Sequence, residues 1–293
     1  MAQLRILTYN TGLYRVRVGG VTLIEPIRHA QARVAALADA IRSIDADVVA
    51  LQEVFDDRHL FPLMEALRGT YPYIATGRDA HTPTFLRDHS GLCILSRCPL
   101  NDIRHEQLRD AALEERLFIV KGLLTASIDS PLGPVSIINT HLTSGGIFRD
   151  PEGQWMVPIR EQQVEHLAEI CGILPHPVRL LVGDLNTGPE FAGSNYNRLL
   201  ERGLLDTWHL DPNPTHRAKQ VTWELTNPLN SRELHKTSTP QRIDHAFLHP
   251  DSLKTVRVIR SVPVLHEATV PTPEGMMTVS DHYGLLLELS SHA

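Results

Sequence analysis

Acids and amides stand at the ends of several strand-like segments of this sequence. Glu53 closes the apolar run that begins at Val48, and Asp184 and Asn186 follow the apolar run that ends at Val182. A hard cation such as Mg²⁺ uses one or two carboxylates together with waters and substrate phosphate, so a rim carboxylate is a suitable ligand. Each motif taken singly also fits a surface acid or ordinary turn chemistry.

Histidine and carboxylate side chains form a second set of candidates. His141 lies just beyond a predicted strand, and Asp281 and His282 are adjacent before the last predicted strand. Asp244 begins another strand, where its carboxylate could accept from one ring nitrogen of His282 and leave the other nitrogen free as a general base. The chain has 16 histidines, so a histidine alone is weak evidence for a catalyst. The prediction for His282 therefore depends on its expected partner Asp244.

Strand-like and helix-like segments alternate in a way that could hold these side chains in place. Apolar and β-branched runs predict strands at 4–9, 48–51, 92–96, 118–128, 135–139, 178–182, 243–248, 255–260 and 283–289. Apolar residues at helical spacing predict helices around 34–41, 60–67 and 159–173, and a turn at 130–134 predicts a hairpin. The pattern favours an α/β fold in which two packed mixed β-sheets are flanked by helices.

Composition limits the class of protein. The chain has 293 residues, of which 42% are hydrophobic and 21% charged, and no linker divides it, so we expect a single domain spanning 1–293. The net charge of −6 argues against extended nucleic-acid binding, which draws on basic surface, although it allows binding of a nucleic-acid end. A monomer is expected.

Cysteine usage and hydropathy bear on the compartment. Cys93, Cys98 and Cys171 form neither a CxxC pair nor an even set, which is typical of reduced thiols. The sequence has no basic-then-apolar leader and no apolar stretch near the ~20 residues that a membrane-spanning helix needs. We therefore expect a cytoplasmic protein without a transmembrane segment, whose membrane contact, if any, is peripheral.

Six short blocks together resemble the endonuclease/exonuclease/phosphatase superfamily. The resemblance covers about the whole chain and implies a four-layered, DNase I-like α/β sandwich with metal-dependent phosphodiester hydrolase activity. The blocks follow the family's order: Thr8-Tyr9-Asn10, Leu51-Gln52-Glu53-Val54, Asn139-Thr140-His141-Leu142, Gly183-Asp184-Leu185-Asn186, Arg242-Ile243-Asp244 and Ser280-Asp281-His282.

The resemblance also implies a role for each site residue. Glu53, with Asn10 and Asp281 nearby, would hold Mg²⁺, for which Mn²⁺ or another divalent ion could substitute. Among the catalytic residues, Asp244 would orient His282, Asp184 and Asn186 would position water and phosphate, and His141 would donate to a non-bridging oxygen. Asp184 could instead act as the base, because the sequence does not fix the geometry that identifies a base.

Within the superfamily, the chain is most similar to neutral sphingomyelinases. The likeness lies mainly in the Ser-Gly-Leu-Cys block at 90–93, with Thr222-Trp223 and Asn227-Pro228-Leu229 in addition, whereas His89 replaces a glycine common in that block. It implies a phospholipase C-type reaction on a phospholipid headgroup. Two apolar groups could reach a membrane surface or could simply pack on the domain: Ile147, Phe148, Trp155, Met156 and Val157, and Met276 with Met277.

Two other functions are compatible with the same blocks. The Thr-Trp and Ser-Asp-His blocks also match tyrosyl-DNA phosphodiesterases, so a nucleotide or nucleic-acid phosphodiesterase is the alternative enzyme. The alternative from another class is a non-catalytic scaffold that binds phosphoinositide or protein. A scaffold would be expected to have lost ligands, and none of the positions named above is lost.

Overall fold

Two six-stranded sheets form the centre of the fold. The computed structural model describes residues 1–14, 16–18, 21–24, 27–78, 89–144, 154–218, 221–230 and 238–292. The first sheet has the order β13 (Val256–Val264), β16 (Gly284–Ser291), β1 (Gln3–Asn10), β4 (Val48–Gln52), β6 (Cys93–Ser96) and β5 (Tyr73–Thr76). The second has the order β11 (Leu205–Asp206), β12 (Asp244–Leu248), β10 (Val178–Asp184), β9 (Gly133–His141), β8 (Gly122–Ser130) and β7 (Leu100–Gln107).

Both sheets are mixed. β1 and β4 run parallel in the first sheet and β9 and β10 run parallel in the second, while the other pairs are antiparallel. Two separate hairpins join β2 (Val16–Val18) to β3 (Val21–Ile24) and β14 (Thr269–Thr272) to β15 (Gly275–Thr278). The helices are α1 (Ala30–Ile44), α2 (Asp57–Leu67), α3 (Leu113–Phe118), α4 (Val157–Ile173), α5 (Gly193–Glu201) and α6 (Thr207–Leu210), with 3-10 turns at Pro214–Ala218 and Pro250–Lys254.

The alternation of side chains along each strand produces the layers. Ile6 and Leu180 belong to a cluster of buried apolar residues between the two sheets, whereas Leu7 and Leu181, one position later, face outward. The outward residues of the first sheet pack under α1 and α2, and those of the second pack under α4 and α5. The result is the four-layered α/β sandwich that the sequence predicted.

Most predicted elements are present, with one correction and several additions. The predicted strand at 118–128 begins only at Gly122, because Phe118 is the last residue of α3 and residues 119–121 connect this helix to the strand. At the other end of α3, Glu115 Oε2 accepts from the backbone N of Ala112 as an N-terminal cap. β7 escaped prediction because its residues are mostly exposed at a sheet edge and carry no apolar alternation.

Two further findings concern surfaces and thiols. Within the described part of the chain, no helix combines the length and the apolar character needed to cross a bilayer. All three cysteines are free thiols, with Cys93 and Cys171 buried among apolar residues.

Candidate active site

Polar side chains replace apolar ones at one end of the sandwich interior. Leu180 and Val182 of β10 face the other sheet, so Asp184, two residues further, faces the same way. The same period of two brings further side chains to this end of the interior. They are Asn10 from β1, Gln52 from β4, Asn139 and His141 from β9, and Asp244 from β12.

Gln52 and Asn139 form the floor of the polar region. The Gln52 amide donates to Oδ1 of Asn139 across the two sheets at 2.7 Å, and Asn139 Nδ2 donates to the carbonyls of Leu51 and Cys93 at 2.9 Å. The amides are buried but hydrogen-bonded, as a polar pair at the boundary of an apolar core must be. Both residues belong to the sequence blocks named above. The only sequence signal of their position was that each lies two residues after an inward-facing apolar residue of its strand.

Asp184 occupies the centre of the site. Its Oδ2 accepts from Nδ2 of Asn10 and its Oδ1 accepts from the backbone N of Asn186, both at 2.9 Å. The Nε2 atoms of His141 and His282 lie 3.5 and 3.8 Å from the same Oδ2. Strand ends from both sheets therefore converge on one carboxylate.

His282 and Asp244 form a buried pair beside Asp184. Nδ1 of His282 lies 2.8 Å from Oδ2 of Asp244, and Thr222 Oγ1 accepts from the backbone N of Asp244. Burial raises the pKa of Asp244 to about 6 against the opposing charge of His282. Burial would lower the pKa of His282, but Asp244 and Asp281 outweigh it and raise that pKa well above its ordinary value. In the metal-free protein, His282 is therefore an imidazolium held by Asp244.

Glu53 lies on the other side of His141. Its Oε1 is 3.9 Å from His141 Nε2, and its backbone adopts φ 61°, in the left-handed region that non-glycine residues seldom occupy. The next residue, Val54, donates its backbone N–H to the carbonyl of Gly91, in the Ser-Gly-Leu-Cys block. Burial and then Asp281 raise the pKa of Glu53 to about 7.

Asp281 approaches the end of β1 so closely that only glycine fits opposite it. A Cβ on Gly12, which has φ 57°, would lie 2.2 Å from Oδ1 of Asp281. The backbone N of Gly12 donates to Oδ1 of Asn10, and Ser280 Oγ donates to the Asn10 carbonyl at 2.7 Å. The structure thus brings together all eight site residues that the sequence nominated, while their roles stay predictions.

The donor set fits a divalent cation. The carboxylates of Glu53, Asp184, Asp244 and Asp281 meet the charge of His282 in a largely buried space. Burial first, and then the charges of Asp281 and Asp184, raise the pKa of Glu53. Asp184, Asp244 and His282 offer ligand atoms within 4.8 Å of one another. Nδ1 of His282 and Oδ2 of Asp244 already bind each other, so we favour the side lined by Glu53, Asn10 and Asp281.

Lys121 is a buried site neighbour that the sequence analysis missed. Its Nζ donates to the Leu142 carbonyl at 3.0 Å and lies 3.5 Å from Oε1 of Glu115. The same Leu142 carbonyl also accepts from Nδ2 of Asn186. Burial and the charge of Lys121 lower the pKa of His141 well below its ordinary value, so this histidine is neutral. A lysine inside the apolar run around 119–124 was the available signal.

The two motifs ahead of Asp244 support the last site loop. Thr222 accepts through its carbonyl from the backbone N of Tyr283, one residue after His282. Asn227 Nδ2 donates to the Ser280 carbonyl at 2.9 Å, and Asn230 Nδ2 donates to the Asp281 carbonyl at 2.8 Å. These hydrogen bonds therefore fix the backbone of the Ser280-Asp281-His282 segment.

The comparisons with solved structures agree with this fold. The chain is similar to sphingomyelinase C from Streptomyces griseocarneus, with a TM-score of 0.69, 20% identity and coverage of 98% of this chain and 99% of that one. It is similar to beta toxin from Staphylococcus aureus with bound magnesium ions (TM-score 0.73, 17% identity, 97% and 99% coverage). It is also similar to a humanized TDP2 from D. rerio (TM-score 0.70, 17% identity, 99% and 100% coverage). None of the curated protein sequences matches the chain.

Membership of a family follows from a match over nearly the whole chain. Residues 7–282 match the family described as "Endonuclease/Exonuclease/phosphatase family", and this span includes all eight nominated site residues. The mixed sheets and flanking helices are those of the structural neighbours. The chain belongs to the endonuclease/exonuclease/phosphatase family, whose members are metal-dependent phosphoric ester hydrolases.

Proposed function

We propose that this chain is a Mg²⁺-dependent phosphodiester hydrolase that cleaves a phospholipid headgroup as a sphingomyelinase-like phospholipase C does. The observation that carries the proposal is the arrangement around His282. Its Nδ1 is bound to Asp244 at 2.8 Å, while its Nε2 lies 3.8 Å from Asp184 and 7% of its side chain remains exposed. One ring nitrogen is held, and the other faces the acid that would position water.

Glu53, Asn10 and Asp281 would hold the cation. When bound, the cation would neutralise phosphate oxygens and the leaving alkoxide, and its charge would bring the pKa of His282 down towards the range of a general base. Its presence is consistent with the surplus of carboxylates, because burying four acids around one imidazolium is otherwise costly.

The remaining side chains would bind the phosphate and the water. Asp184 accepts from Asn10 and Asn186, and this fixes the direction of its lone pairs towards an attacking water. His141, neutral at physiological pH, can donate from one ring nitrogen to a non-bridging oxygen. His282 would accept the proton of the water, with Asp244 stabilising the imidazolium that forms. Asp184 is the alternative base.

Exposed apolar side chains support a lipid as substrate. Trp155, just before α4, is 66% exposed, and Met276 on the β14–β15 hairpin is 59% exposed, whereas Met277 is buried. An exposed tryptophan and methionine can enter the headgroup boundary of a bilayer. Ile147 and Phe148, which belong to the same apolar group as Trp155, lie outside the described residues.

A substrate panel tests the proposal. Sphingomyelin, lysophospholipids, bis-p-nitrophenyl phosphate and short oligonucleotides are supplied with Mg²⁺ and with EDTA. We expect lipid headgroup release that stops on chelation and returns with Mg²⁺. Preferential cleavage of oligonucleotide or tyrosyl-DNA ends would support the alternative suggested by the likeness to TDP2. Full activity after complete chelation would contradict the metal-dependent mechanism.

A further inference from the structure

Arg33 is a fully buried arginine outside the site residues discussed so far. It lies in the first turn of α1 and has 0% exposure. Burying a guanidinium is costly unless its donors are satisfied, so a buried arginine marks a place where several acceptors must be held at once.

The acceptors of Arg33 are main-chain carbonyls from separate parts of the chain. Nε donates to the carbonyl of Arg28 at 3.0 Å, within the segment that leads into α1. Nη1 donates to the carbonyls of Thr11 at 3.0 Å and Val279 at 2.8 Å, and Nη2 donates to the carbonyl of Gly12. One planar side chain therefore joins α1, the loop after β1 and the loop before β16.

Both loops carry residues proposed to hold the cation. Thr11 and Gly12 directly follow Asn10, and Val279 precedes Asp281 by two residues. The two loops also touch each other, because Ser280 Oγ donates to the Asn10 carbonyl and the Cα of Gly12 faces the Asp281 carboxylate. Any rotation of either loop would therefore alter the separation of Asn10 and Asp281.

We propose that Arg33 is a positioning residue that sets the distance between Asn10 and Asp281 and thereby the affinity of the metal site. The inference rests on the proposed function, in which those two residues and Glu53 hold the cation. The guanidinium fork spans carbonyls on two loops in one plane, whereas a lysine ammonium keeps the charge and loses this geometry. Supporting residues of this kind change metal affinity by about 10–100-fold when removed.

Direct metal titration tests the inference without reference to activity. The dissociation constants of Mn²⁺ and Mg²⁺ are measured by calorimetry for the natural chain and for Arg33→Met, Arg33→Lys and Glu53→Gln, after circular dichroism has shown that each is folded. We expect Arg33→Met to raise the constant about tenfold or more. Arg33→Lys should give a smaller increase, and kcat should recover at saturating metal.

Arg160→Met is the matched control. Arg160 is also fully buried, and it donates at 3.0 Å to the carbonyl of Thr143, which follows β9, and at 3.2 Å to Oδ1 of Asn195 in α5. These two acceptors do not adjoin Asn10 or Asp281 in the chain, so the removal of Arg160 should lower stability and leave metal affinity within about twofold. An equal loss of affinity in both methionine variants would overturn the inference, because generic loss of packing would explain it.

The other outcomes separate the two proposals. If Glu53→Gln loses metal while folded Arg33→Met retains it, the role of Arg33 is wrong and the metal site stands. If Glu53→Gln and Arg33→Met both bind metal as the natural chain does, the metal lies elsewhere and both proposals fail. Should Arg33→Met not fold, Arg33→Lys is judged by the same criteria.

Discussion

Nδ1 of His282 lies 2.8 Å from Oδ2 of Asp244, while Nε2 of the same ring lies 3.8 Å from Oδ2 of Asp184. The imidazole is therefore placed between two carboxylates that can have different tasks. The contact with Asp244 is short enough to fix the tautomer and orientation of the ring. The contact with Asp184 is longer than a hydrogen bond, so Nε2 of His282 is not engaged by that carboxylate.

Substitutions at these two positions should be strongly non-additive. His282→Ala should lower kcat by about 10²–10⁴-fold, the usual contribution of a positioned general base, with little change in fold. Asp244→Asn should cost much of the same activity by presenting the wrong tautomer. The double variant should lose far less than the product of the two single losses. Single-turnover rates and circular dichroism measure these effects.

Multiplicative losses would instead show that His282 and Asp244 act independently. Asp184 would then be the preferred base, and the acidic limb of the pH–rate profile should persist in His282→Ala.

Glu53 should make the metal-free protein less stable as the pH rises. Its folded pKa of about 7 lies above the ordinary value of 4.5, because burial and the nearby Asp281 carboxylate disfavour its charge. Between these two values the unfolded chain releases a proton that the folded chain retains, so rising pH favours unfolding. In EDTA, Glu53→Gln should exceed the natural chain in stability by on the order of 1–3 kcal/mol at pH 8.

Urea unfolding at pH 4.5 and pH 8 checks this sign. At the lower pH the glutamate is protonated in the folded state and resembles glutamine, so the two chains should differ little. An equal stability difference at both pH values would show that the titration of Glu53 is not its cause.

The effect of replacing Lys121 on stability should depend on Glu115, whereas its effect on activity should not. Both side chains are buried, and Lys121→Met leaves the Glu115 carboxylate without the lysine ammonium beside it. This should lower the free energy of unfolding by about 3–5 kcal/mol. Lys121→Met with Glu115→Gln removes both charges and should recover part of this loss. Activity should stay low in both, because the charge that acts on Glu53 and His141 is gone.

Chemical denaturation and steady-state kinetics on the same samples separate these effects. Recovery of kcat together with stability in the double variant would mean that Lys121 serves the fold alone.

Trp155 and Met276 should govern lipid binding. Trp155→Ser and Met276→Ser each remove exposed apolar area and should weaken binding to sphingomyelin vesicles, while hydrolysis of bis-p-nitrophenyl phosphate stays unchanged. Ile173→Ser is the matched control, because Ile173 is 77% exposed at the opposite end of α4 from Trp155. Vesicle co-sedimentation measures binding. An equal loss of hydrolysis of the lipid and of the soluble diester would instead show that these side chains support the folded catalytic domain and not lipid binding.

The sequence was sufficient for the layers and for nominating eight residues that the fold brings together. The apolar run of β10 and the helical spacing along α4 are local patterns, and burial of the strand and of one face of the helix follows directly from them. Acids and histidines at strand ends were equally visible, since a polar residue after an apolar run needs no long-range information to be noticed. The match over residues 7–282 agrees with those blocks.

Local pattern failed where an element gains its stability from elsewhere. α3 depends on a cap by Glu115, whose carboxylate also accepts from Oγ1 of Thr143 at 2.6 Å and lies near Lys121. These contacts join residues that are distant in the sequence, and the apolar residues from 118 onward resemble a strand. Met276 and Met277 are adjacent in sequence, yet one is exposed and the other buried, because the pleat of β15 sends neighbours to opposite faces.

Tertiary structure alone decided how the charges are balanced. Asp244 and His282 are 38 residues apart, and Arg33 reaches a carbonyl 246 residues away, so no local pattern could pair them. Burial and then the Asp281 carboxylate raise the pKa of Glu53, whereas Asp244 and Asp281 raise the pKa of His282 against the effect of burial, and the fold gathers these groups from separate strands. The sequence determined which groups are present at the strand ends, and the packing of the two sheets determined which of them form hydrogen bonds and close charge pairs with one another.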